Sequence, residues 1–312
     1  MNKKEADIFL EKIIREIEIK DELHSKRIQK DIILIKQIDT VQFDILLSLI
    51  YNYFKLLTIS ISEIVSDYLQ MVTDMRHQRI YFIKNKKYSC ENQKDAFEKV
   101  YSNDKIMSYY MNGLLLSQLL WKHHFNTYVF FKQQLNEFFS ALDQINILDV
   151  GPGHGFYSHI VKSSIPNYNT IDLIDISEAS LLMTKRMIGN ECRNMNYFNE
   201  DVLNFKPTKR YDLIILGEVI EHLDNPSEIL KTVSHLLTPK GILWVTTPTN
   251  APAIDHIYLF NNKEEIIELI QNSDLQVITE KGFYSDDVSE EMARKMKVTQ
   301  LICTFCRSSL TL

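Results

Sequence analysis

The sequence predicts an α/β protein in which a mainly helical region precedes a doubly wound, Rossmann-like parallel sheet. Residues 1–140 contain one glycine, Gly113, and no proline, which favours helices over turn-rich β structure. Beyond residue 144, short apolar runs alternate with segments of helical spacing, as in the strands and crossover helices of a parallel sheet. We therefore expect two domains, 1–140 and 141–312.

The N-terminal domain is expected to begin with three helices. Apolar spacing predicts amphipathic helices over 5–37 and a mostly buried helix over 43–57, with a further helical segment after them. Apolar residues then flank a polar turn at 84–86, the pattern of a short hairpin. This order predicts a winged-helix arrangement at about 41–92. Its second helix has no lysine or arginine before Arg76, so dimerisation or covering of a substrate is favoured over DNA binding.

The stretch 108–139 is aromatic and helical in pattern, with a weak point at Gly113. An apolar stripe of this kind is typical of a linker helix packed on a core. A second interpretation, compatible with the first, is that one face lines a pocket for an apolar or aromatic substrate. The candidate pocket residues are Tyr109, Tyr110, Trp121, His123 and His124, of which Tyr110, Trp121 and His124 are preferred.

Composition limits the classes of partner. The net charge of −6 argues against a broad nucleic-acid surface, and no apolar run approaches the roughly 18 residues of a membrane span. The N-terminus mixes charges with apolar residues, unlike a secretory signal, so a cytoplasmic protein is expected.

The cysteines are too widely scattered for a disulfide framework: Cys90, Cys192, Cys303 and Cys306. Cys303 and Cys306 form a CxxC, but no second pair stands at zinc-ribbon spacing and the segment has the pattern of a strand. We expect buried thiols rather than a metal or redox site.

The glycine turn in ILDVGPGHG, residues 147–155, is the motif on which the function of the predicted sheet depends. It contains three glycines at alternate positions, Gly151, Gly153 and Gly155. Glycine can adopt positive φ and lets a ligand approach the backbone, while Pro152 stiffens the turn. The dinucleotide fingerprint needs its third glycine where Phe156 stands, so a nicotinamide or flavin cofactor is disfavoured.

Acidic residues follow the next strands at their carboxyl ends. Asp175 lies 20 residues beyond Gly155, where an acid accepts hydrogen bonds from a nucleoside ribose; Asp172 lies within the strand and is the weaker candidate. Further marked residues end the third and fourth strands: Asp201, Val202, Gly217 and Glu218. The carboxyl ends of parallel strands meet at one edge, so these residues predict a single ligand site.

Residues 145–306 resemble the class I S-adenosylmethionine-dependent methyltransferases. The motifs that carry the resemblance are DVGPGHG from Asp149, LIDISE around Asp175, EDV around Asp201 and DLIILGEVIEHL around Gly217. The resemblance implies a seven-stranded sheet with VTQLICTFC as its antiparallel seventh strand. It also implies S-adenosylmethionine as the cofactor.

The resemblance assigns roles to these residues. Asp149 and the glycine turn would hold the amino acid end of the cofactor, Asp175 the ribose, and Asp201 with Val202 the adenine. Gly217 and Glu218 would lie beside the sulfonium and the acceptor. The implied cofactor-binding residues are Asp149, Gly151, Pro152, Gly153, Asp175, Ile176, Asp201, Val202, Gly217 and Glu218.

The acceptor is less narrowly defined. LGEV at 216–219 differs from the N/D-P-P-Y of the amide and adenine N-methyltransferases, which disfavours those acceptors. EVIEHL at 218–223 is similar to the ubiquinone-pathway O-methyltransferases and many natural-product enzymes, which implies O-methyl transfer to a small molecule. It is also similar to the RNA 3'-terminal 2'-O-methyltransferases, which implies Mg²⁺ or Mn²⁺. The candidate metal ligands are Glu218, Glu221, His222 and His256. Metal-free relatives keep the same letters, so a metal is not favoured.

An acceptor hydroxyl must be held about 3 Å from the methyl group and must lose its proton. Histidine suits this task near neutral pH, so the catalytic candidates are His256 first, with His222 and Glu218, and then His123 or His124. We predict a homodimeric small-molecule O-methyltransferase of secondary metabolism whose helical domain covers the substrate. The alternatives are an RNA 3'-terminal 2'-O-methyltransferase that uses a metal and a non-catalytic cofactor-binding regulator that uses the winged helix.

Overall fold

A computed structural model of the chain describes residues 3–189 and 194–310. The chain divides into two compact units. The first comprises Met1–His77 and Asp104–Phe131, and the second comprises Gln78–Asn103 and Lys132–Leu312. Residues 78–103, which precede the sheet in the chain, thus belong to the same unit as the sheet.

Helices form the regular structure of the described residues before the first strand. They are α1 (Lys3–Lys20), α2 (Glu22–Leu57), α3 (Ile61–Asn85), α4 (Gln93–Ala96), a π-helical turn at Phe97–Tyr101, α5 (Asp104–Leu120) and α6 (Lys122–Phe139). Asp39 breaks α2, because its backbone is extended and its carboxylate accepts the Gln42 N–H at 2.9 Å. This break separates the two predicted helical runs, 5–37 and 43–57.

The predicted hairpin at about 80–90, and with it the winged helix, is wrong. Helix α3 continues to Asn85, with Phe82 buried while Ile80 and Ile83 are exposed. No glycine or proline interrupts the segment, so local helical hydrogen bonds prevail over strand pairing. The helix ends at Asn85, and Lys86, which follows it, has φ of 58°. The hypothesis of a regulator that acts through a winged helix therefore lacks the hairpin on which it depended.

The predicted long helix over 108–139 is two helices, and the break falls at Trp121 rather than at Gly113. Gly113 instead allows close packing, because a Cβ there would lie 2.9 Å from the Cβ and Sδ atoms of Met71 in α3. Gly113 thus allows α5 to pack closely against α3 within the first unit.

The sheet contains seven strands in the order β3-β2-β1-β4-β5-β7-β6. Their bounds are β1 Asn146–Val150, β2 Thr170–Asp175, β3 Met195–Asn199, β4 Tyr211–Gly217, β5 Leu237–Thr249, β6 Leu275–Tyr284 and β7 Gln300–Ser308. The remaining helices are α7 (Phe156–Ser164), α8 (Glu178–Ile188), α9 (Pro226–Leu236), α10 (Lys263–Gln271) and α11 (Glu290–Met296). Strand β7 is antiparallel to β5 and β6. The doubly wound sheet and its antiparallel seventh strand are confirmed.

The described cysteines are buried thiols outside any disulfide: Cys90, Cys303 and Cys306. Cys303 and Cys306 lie within β7, as predicted for core thiols. Cys192 lies outside the described residues.

Across residues 3–189 and 194–310, no single helix has both the length and the apolar composition of a membrane span. Only α2 and α3 taken together, which are bent by 111°, satisfy that test.

Candidate active site

The glycine turn between β1 and α7 adopts the backbone conformation that its sequence predicts. Gly151, Gly153 and Gly155 have φ values of 65°, 55° and 77°, a region that side chains strongly disfavour. A Cβ at Gly155 would lie 2.8 Å from the Cα of Thr184 in α8. Glycine is therefore needed here both for the turn and for the close approach of α8.

Asp149 lies beneath this turn and is buried. Its carboxylate accepts a hydrogen bond from Ser158 Oγ, which ties β1 to α7. Burial raises the pKa of Asp149 to about 7. The structure therefore places Asp149 at the predicted edge, with a carboxyl group that burial shifts towards its neutral form.

Asp175 ends β2 at the same edge of the sheet. Its Oδ1 accepts the Ser177 N–H at 2.8 Å, and desolvation raises its pKa to about 6. The neighbouring Ile176 is 49% exposed. Asp172, the weaker ribose candidate, is buried and accepts a hydrogen bond from Tyr211 Oη at 2.6 Å. Asp172 thus has a partner within the sheet, whereas Asp175 lies at the strand end.

The third strand contributes Asp201 and Val202 just beyond its end. Asp201 Oδ1 accepts the Leu203 N–H at 2.9 Å. Val202 is buried and its side chain packs in the hydrophobic core. It can therefore contact a ligand mainly through its backbone. The predicted adenine-side residues are therefore close to the sheet edge but make different kinds of contact.

The fourth strand ends in a tightly packed turn. A Cβ at Gly217 would lie 2.5 Å from a ring carbon of Tyr157, which excludes a side chain there. Glu218 follows with φ of 57°, and its N–H donates to Thr246 O at 3.0 Å. A non-glycine residue in this region is strained, and such residues concentrate at functional sites.

Three side chains meet next to this turn, and we call Glu221, His222 and His256 the acid–imidazole cluster. One potential ligand atom of each lies within 4.8 Å of the other two. The two imidazole rings are 4.8 Å apart and nearly perpendicular. Glu221 is fully buried, and its Oε2 accepts a hydrogen bond from Thr247 Oγ1 at 2.9 Å.

Backbone carbonyls define the tautomers of both histidines. His256 Nδ1 lies 2.7 Å from Ala251 O, and His222 Nδ1 lies 3.1 Å from Asp255 O. A carbonyl only accepts, so each Nδ1 carries a hydrogen, and in a neutral ring Nε2 then holds the lone pair. Burial lowers the pKa of His256 to about 4, so this imidazole is neutral at pH 7.

Carboxyl groups lie in and beside the acid–imidazole cluster. Among residues 3–189 and 194–310, three buried carboxyl oxygens have no hydrogen-bond partner: Glu218 Oε1, Glu221 Oε1 and Asp255 Oδ1. Burial raises the pKa of Glu218 and of Glu221, and the Glu218 charge raises that of Glu221 further. Buried acceptors without donors destabilise a folded protein. This arrangement is therefore suited to a ligand that brings hydrogen-bond donors or positive charge.

Three further residues of this site were not predicted from the sequence: Tyr88, Tyr101 and Asp255. Tyr101 Oη lies 3.0 Å from His222 Nδ1 and donates to Asp255 Oδ2 at 3.2 Å. The ring of Tyr88 contacts that of His256 edge to face. Asp255 is adjacent to His256 and could have been noticed for that reason. Tyr101 lies 121 residues before His222, and no motif marks either tyrosine.

The predicted pocket residues of the helical region lie in the first unit, where they have polar partners. Trp121 Nε1 donates to Tyr68 Oη at 2.7 Å, and His124 Nδ1 lies 2.8 Å from Ser117 Oγ. Tyr110 is buried. Their role as pocket residues stays a prediction, as do the roles of Tyr109, whose hydroxyl donates to Asp74, and of the buried His123.

The strand order, the antiparallel seventh strand and the glycine turn after β1 together define a class I methyltransferase fold. The same fold occurs in the N-methyltransferase NodS from Bradyrhizobium japonicum WM9, solved in complex with S-adenosyl-L-homocysteine. That structure aligns with a TM-score of 0.51 at 15% identity, over 70% of this chain and 100% of the other.

The chain belongs to the methyltransferase domain family, whose model matches residues 121–284. It is 32% identical over 102 residues to malonyl-[acyl-carrier protein] O-methyltransferase 2 of Ilyobacter polytropus, which is 33% of this chain and 39% of that protein. Malonyl-[acyl-carrier protein] O-methyltransferase 1 of the same organism is 28% identical over 163 residues, 48% of this chain and 60% of the relative. These two matches thus span less than two thirds of each relative.

A further relative is the ubiquinone biosynthesis O-methyltransferase of Rickettsia bellii. It is 25% identical over 171 residues, which is 48% of this chain and 69% of that protein.

Proposed function

We propose that this chain is an S-adenosylmethionine-dependent methyltransferase that methylates a hydroxyl group of a small molecule, in secondary metabolism. The observation that carries the proposal is His256, a buried, neutral imidazole that lies near Glu221 and His222 and whose Nδ1–H donates to Ala251 O, which leaves Nε2 as its basic atom. A hydroxyl acceptor needs such a base. The names of the relatives, which are O-methyltransferases, support transfer to oxygen.

The cofactor site is proposed from the strand ends. S-adenosylmethionine, when bound, supplies a methyl group that is already activated by its sulfonium. The glycine turn leaves room for a ligand against the backbone, and Asp175 offers a carboxylate to ribose hydroxyls. Asp149 would attract the amino group of the cofactor. The protein then has to hold the acceptor in line and exclude water.

His256 is proposed to take the acceptor proton. Its Nδ1–H stays bonded to Ala251 O, so the ring cannot turn and Nε2 receives the proton as the acceptor oxygen forms its new bond to carbon. The imidazolium that forms is stabilised by the neighbouring carboxyl group of Asp255. Burial of this pair means that little water screens their attraction.

Cofactor affinity is expected to rise with pH between about 5 and 7.5. The carboxylate form accepts the ribose hydrogen bonds, and the pKa values of about 6 for Asp175 and about 7 for Asp149 place both ionisations in this window. Isothermal titration calorimetry across this range measures the effect. In Asp175→Asn only the Asp149 contribution should remain, so the dependence on pH should be weaker than in wild type. An affinity that falls as pH rises would contradict this assignment.

Release of S-adenosyl-L-homocysteine tests the proposed activity. The purified chain with S-adenosylmethionine should form this product when a metabolite extract of its host is added, and not when the extract is omitted. Removing macromolecules from the extract by filtration should leave the activity intact, because the proposed acceptor is small. Product that appears only with the retained macromolecules would contradict a small-molecule acceptor.

The acid–imidazole cluster favours a second candidate, the metal-dependent RNA 3'-terminal 2'-O-methyltransferase. Glu221, His222 and His256 come together as predicted, whereas Glu218, the fourth predicted ligand, lies outside the group. Two ligands bound at about 2.1 Å to one ion are at most about 4.2 Å apart. The ligand atoms here are up to 4.8 Å apart, so an ion would require the side chains to close.

This second candidate predicts specific binding of Mn²⁺. Electron paramagnetic resonance should detect one bound ion per chain in wild type and none in Glu221→Gln, which keeps the size of the side chain but removes its charge. Methyl transfer to short RNA should then require the metal and should be lost in His256→Ala. Absence of Mn²⁺ binding together with metal-independent transfer would remove this candidate and leave the first one standing.

A cytoplasmic setting and a homodimer are further parts of our proposal. Both derive from the charge pattern of the N-terminus and the apolar stripes of the helical region. Size-exclusion chromatography with light scattering tests the dimer.

A further inference from the structure

Residues 78–103, which we call the tyrosine segment, belong to the sheet unit although they precede the sheet in the chain. The segment is held at its start by Arg79, whose guanidinium donates to Met296 O at 2.9 Å and Lys297 O at 3.0 Å. A third hydrogen bond from the same guanidinium reaches Asn250 O at 3.3 Å. These contacts place the segment next to the loop that carries His256.

The middle of the tyrosine segment contacts that loop through Tyr88. Tyr88 Oη accepts the Ala251 N–H at 3.0 Å, while Ala251 O accepts the Nδ1–H of His256 at 2.7 Å. The Tyr88 ring also lies against the His256 ring, with centroids 5.9 Å apart. Both backbone groups of Ala251 are thus bound by site residues.

The end of the segment is a π-helical turn that carries Tyr101. The turn spans Phe97–Tyr101, and the Ser102 N–H donates to Phe97 O at 2.9 Å, five residues back. Such turns are rare and frequently occur at functional sites, because the extra residue redirects the side chains that follow. Here the redirected side chain is Tyr101, which contacts His222 and Asp255.

We propose that Tyr101 is the positioning residue for His222 in the methyl-transfer site. The inference rests on the proposed function. His222 Nδ1–H donates to Tyr101 Oη, and Tyr101 Oη–H donates to Asp255 Oδ2. A tyrosine hydroxyl can accept from the imidazole and donate to a carboxylate at the same time. This relay keeps His222 Nε2 turned towards Glu221 and His256, where an acceptor binds.

The relay adds to the bond between His222 Nδ1 and Asp255 O, which is 3.1 Å long. In the structure, Asp255 Oδ2 lies 3.5 Å from His222 Nδ1. Without the Tyr101 hydroxyl, this carboxylate would lose a hydrogen-bond donor. The Asp255 carboxylate already has one oxygen that lacks a partner among the described residues. We therefore expect its loop and the imidazole to become mobile together.

Tyr101→Phe tests the proposal, because it removes the hydroxyl and keeps the ring. Long-range ¹H–¹⁵N correlation spectra of the full chain report the histidine tautomers. Wild type should show sharp His222 signals with the hydrogen on Nδ1. Tyr101→Phe should show exchange broadening of these signals, because the ring becomes mobile. The control is Tyr51→Phe, which removes another tyrosine hydroxyl, one that donates to Glu5 in the first unit. The control should leave the His222 signals unchanged.

Kinetics provide the second readout. S-adenosyl-L-homocysteine release with the host extract should be about 10- to 100-fold slower in Tyr101→Phe, the range seen when the partner of a functional histidine is removed. The KM for S-adenosylmethionine should stay unchanged, because Tyr101 contacts His222 and Asp255 and is not one of the proposed cofactor-binding residues. A structural defect would instead alter the cofactor KM and the thermal unfolding midpoint.

If Tyr101→Phe does not fold, Asp255→Asn weakens the same relay from its other end and should broaden the His222 signals in the same way. Sharp His222 signals in both variants, or a rate equal to that of Tyr51→Phe, would overturn the proposal. If wild type fails to bind S-adenosylmethionine, the proposed function fails, whereas the comparison of the His222 signals still decides the role of Tyr101.

Discussion

Replacing Asp175 by alanine is expected to weaken the binding of S-adenosylmethionine by about 100-fold. Hydrogen bonds to a charged group contribute about 1.5–3 kcal/mol each, and about 1.4 kcal/mol corresponds to a factor of ten. The Asp175 carboxylate lies at the end of β2, where it accepts hydrogen bonds from the Ser177 N–H and from the Gly153 backbone of the glycine turn. Its remaining acceptor capacity is available to the ribose hydroxyls. Isothermal titration calorimetry at pH 7.5 measures the loss.

Glu178→Ala is the matched control for this prediction. Glu178 is an exposed acid in the first turn of α8, three residues beyond Asp175. Its removal changes the net charge by the same amount but removes no proposed cofactor contact. Equal affinities for wild type and Asp175→Ala would contradict the ribose assignment. Equal losses in the two variants would show a general charge effect instead.

Replacing His256 by asparagine is expected to slow methyl transfer by about 10²- to 10⁴-fold, the usual contribution of a general base. The asparagine amide can donate to Ala251 O as Nδ1–H does, but it has no basic nitrogen in the place of Nε2. Cofactor affinity should change little, because His256 follows β5 and not the glycine turn. The single-turnover rate of S-adenosyl-L-homocysteine formation with the host extract is the measurement.

His159→Asn is the control for this substitution. His159 lies in α7, and its Nδ1 also faces a backbone carbonyl, Met187 O, at 3.2 Å. The variant therefore loses a comparable ring and keeps a comparable hydrogen bond outside the proposed catalytic group. A rate in His256→Asn that equals the His159→Asn rate would rule out His256 as the base.

The sheet could be predicted from the sequence because its signals are local. The glycine turn needs positive φ, and Ser177 begins α8 by accepting the Ser180 N–H at 3.3 Å. Gly189, with φ of 89°, ends the same helix as expected. Each of these signals involves residues close together in the chain, so the order of strands and helices could be inferred without tertiary contacts.

The errors arose where local patterns are ambiguous. The segment RIYFIKN has apolar residues at spacings that suit a strand or a helix, and only its hydrogen bonding decides between them. The break at Trp121 was missed because Gly113 looked weaker, although that glycine allows contact with Met71. At Gly113, packing against Met71 outweighs the low helix propensity of glycine.

The candidate site was predicted in part for the same reason. Glu221, His222 and His256 come from motifs near β4 and β5, and they meet in the structure. Tyr88 and Tyr101 reach the same place from the tyrosine segment, through contacts that no spacing in the sequence encodes. A buried acceptor such as Glu221 Oε1, unpaired among the described residues, becomes visible only when the neighbours are known.

The central claim is that this chain moves a methyl group from S-adenosylmethionine to a hydroxyl of a small molecule. The most direct test uses cofactor labelled with ¹³C in its methyl group, incubated with the chain and a filtered host extract, and read by ¹³C nuclear magnetic resonance. We expect a new O–CH₃ signal that depends on wild-type protein and is absent with Asp175→Ala. Label that appears only as N–CH₃ or C–CH₃, or that stays entirely on the cofactor, would contradict the account.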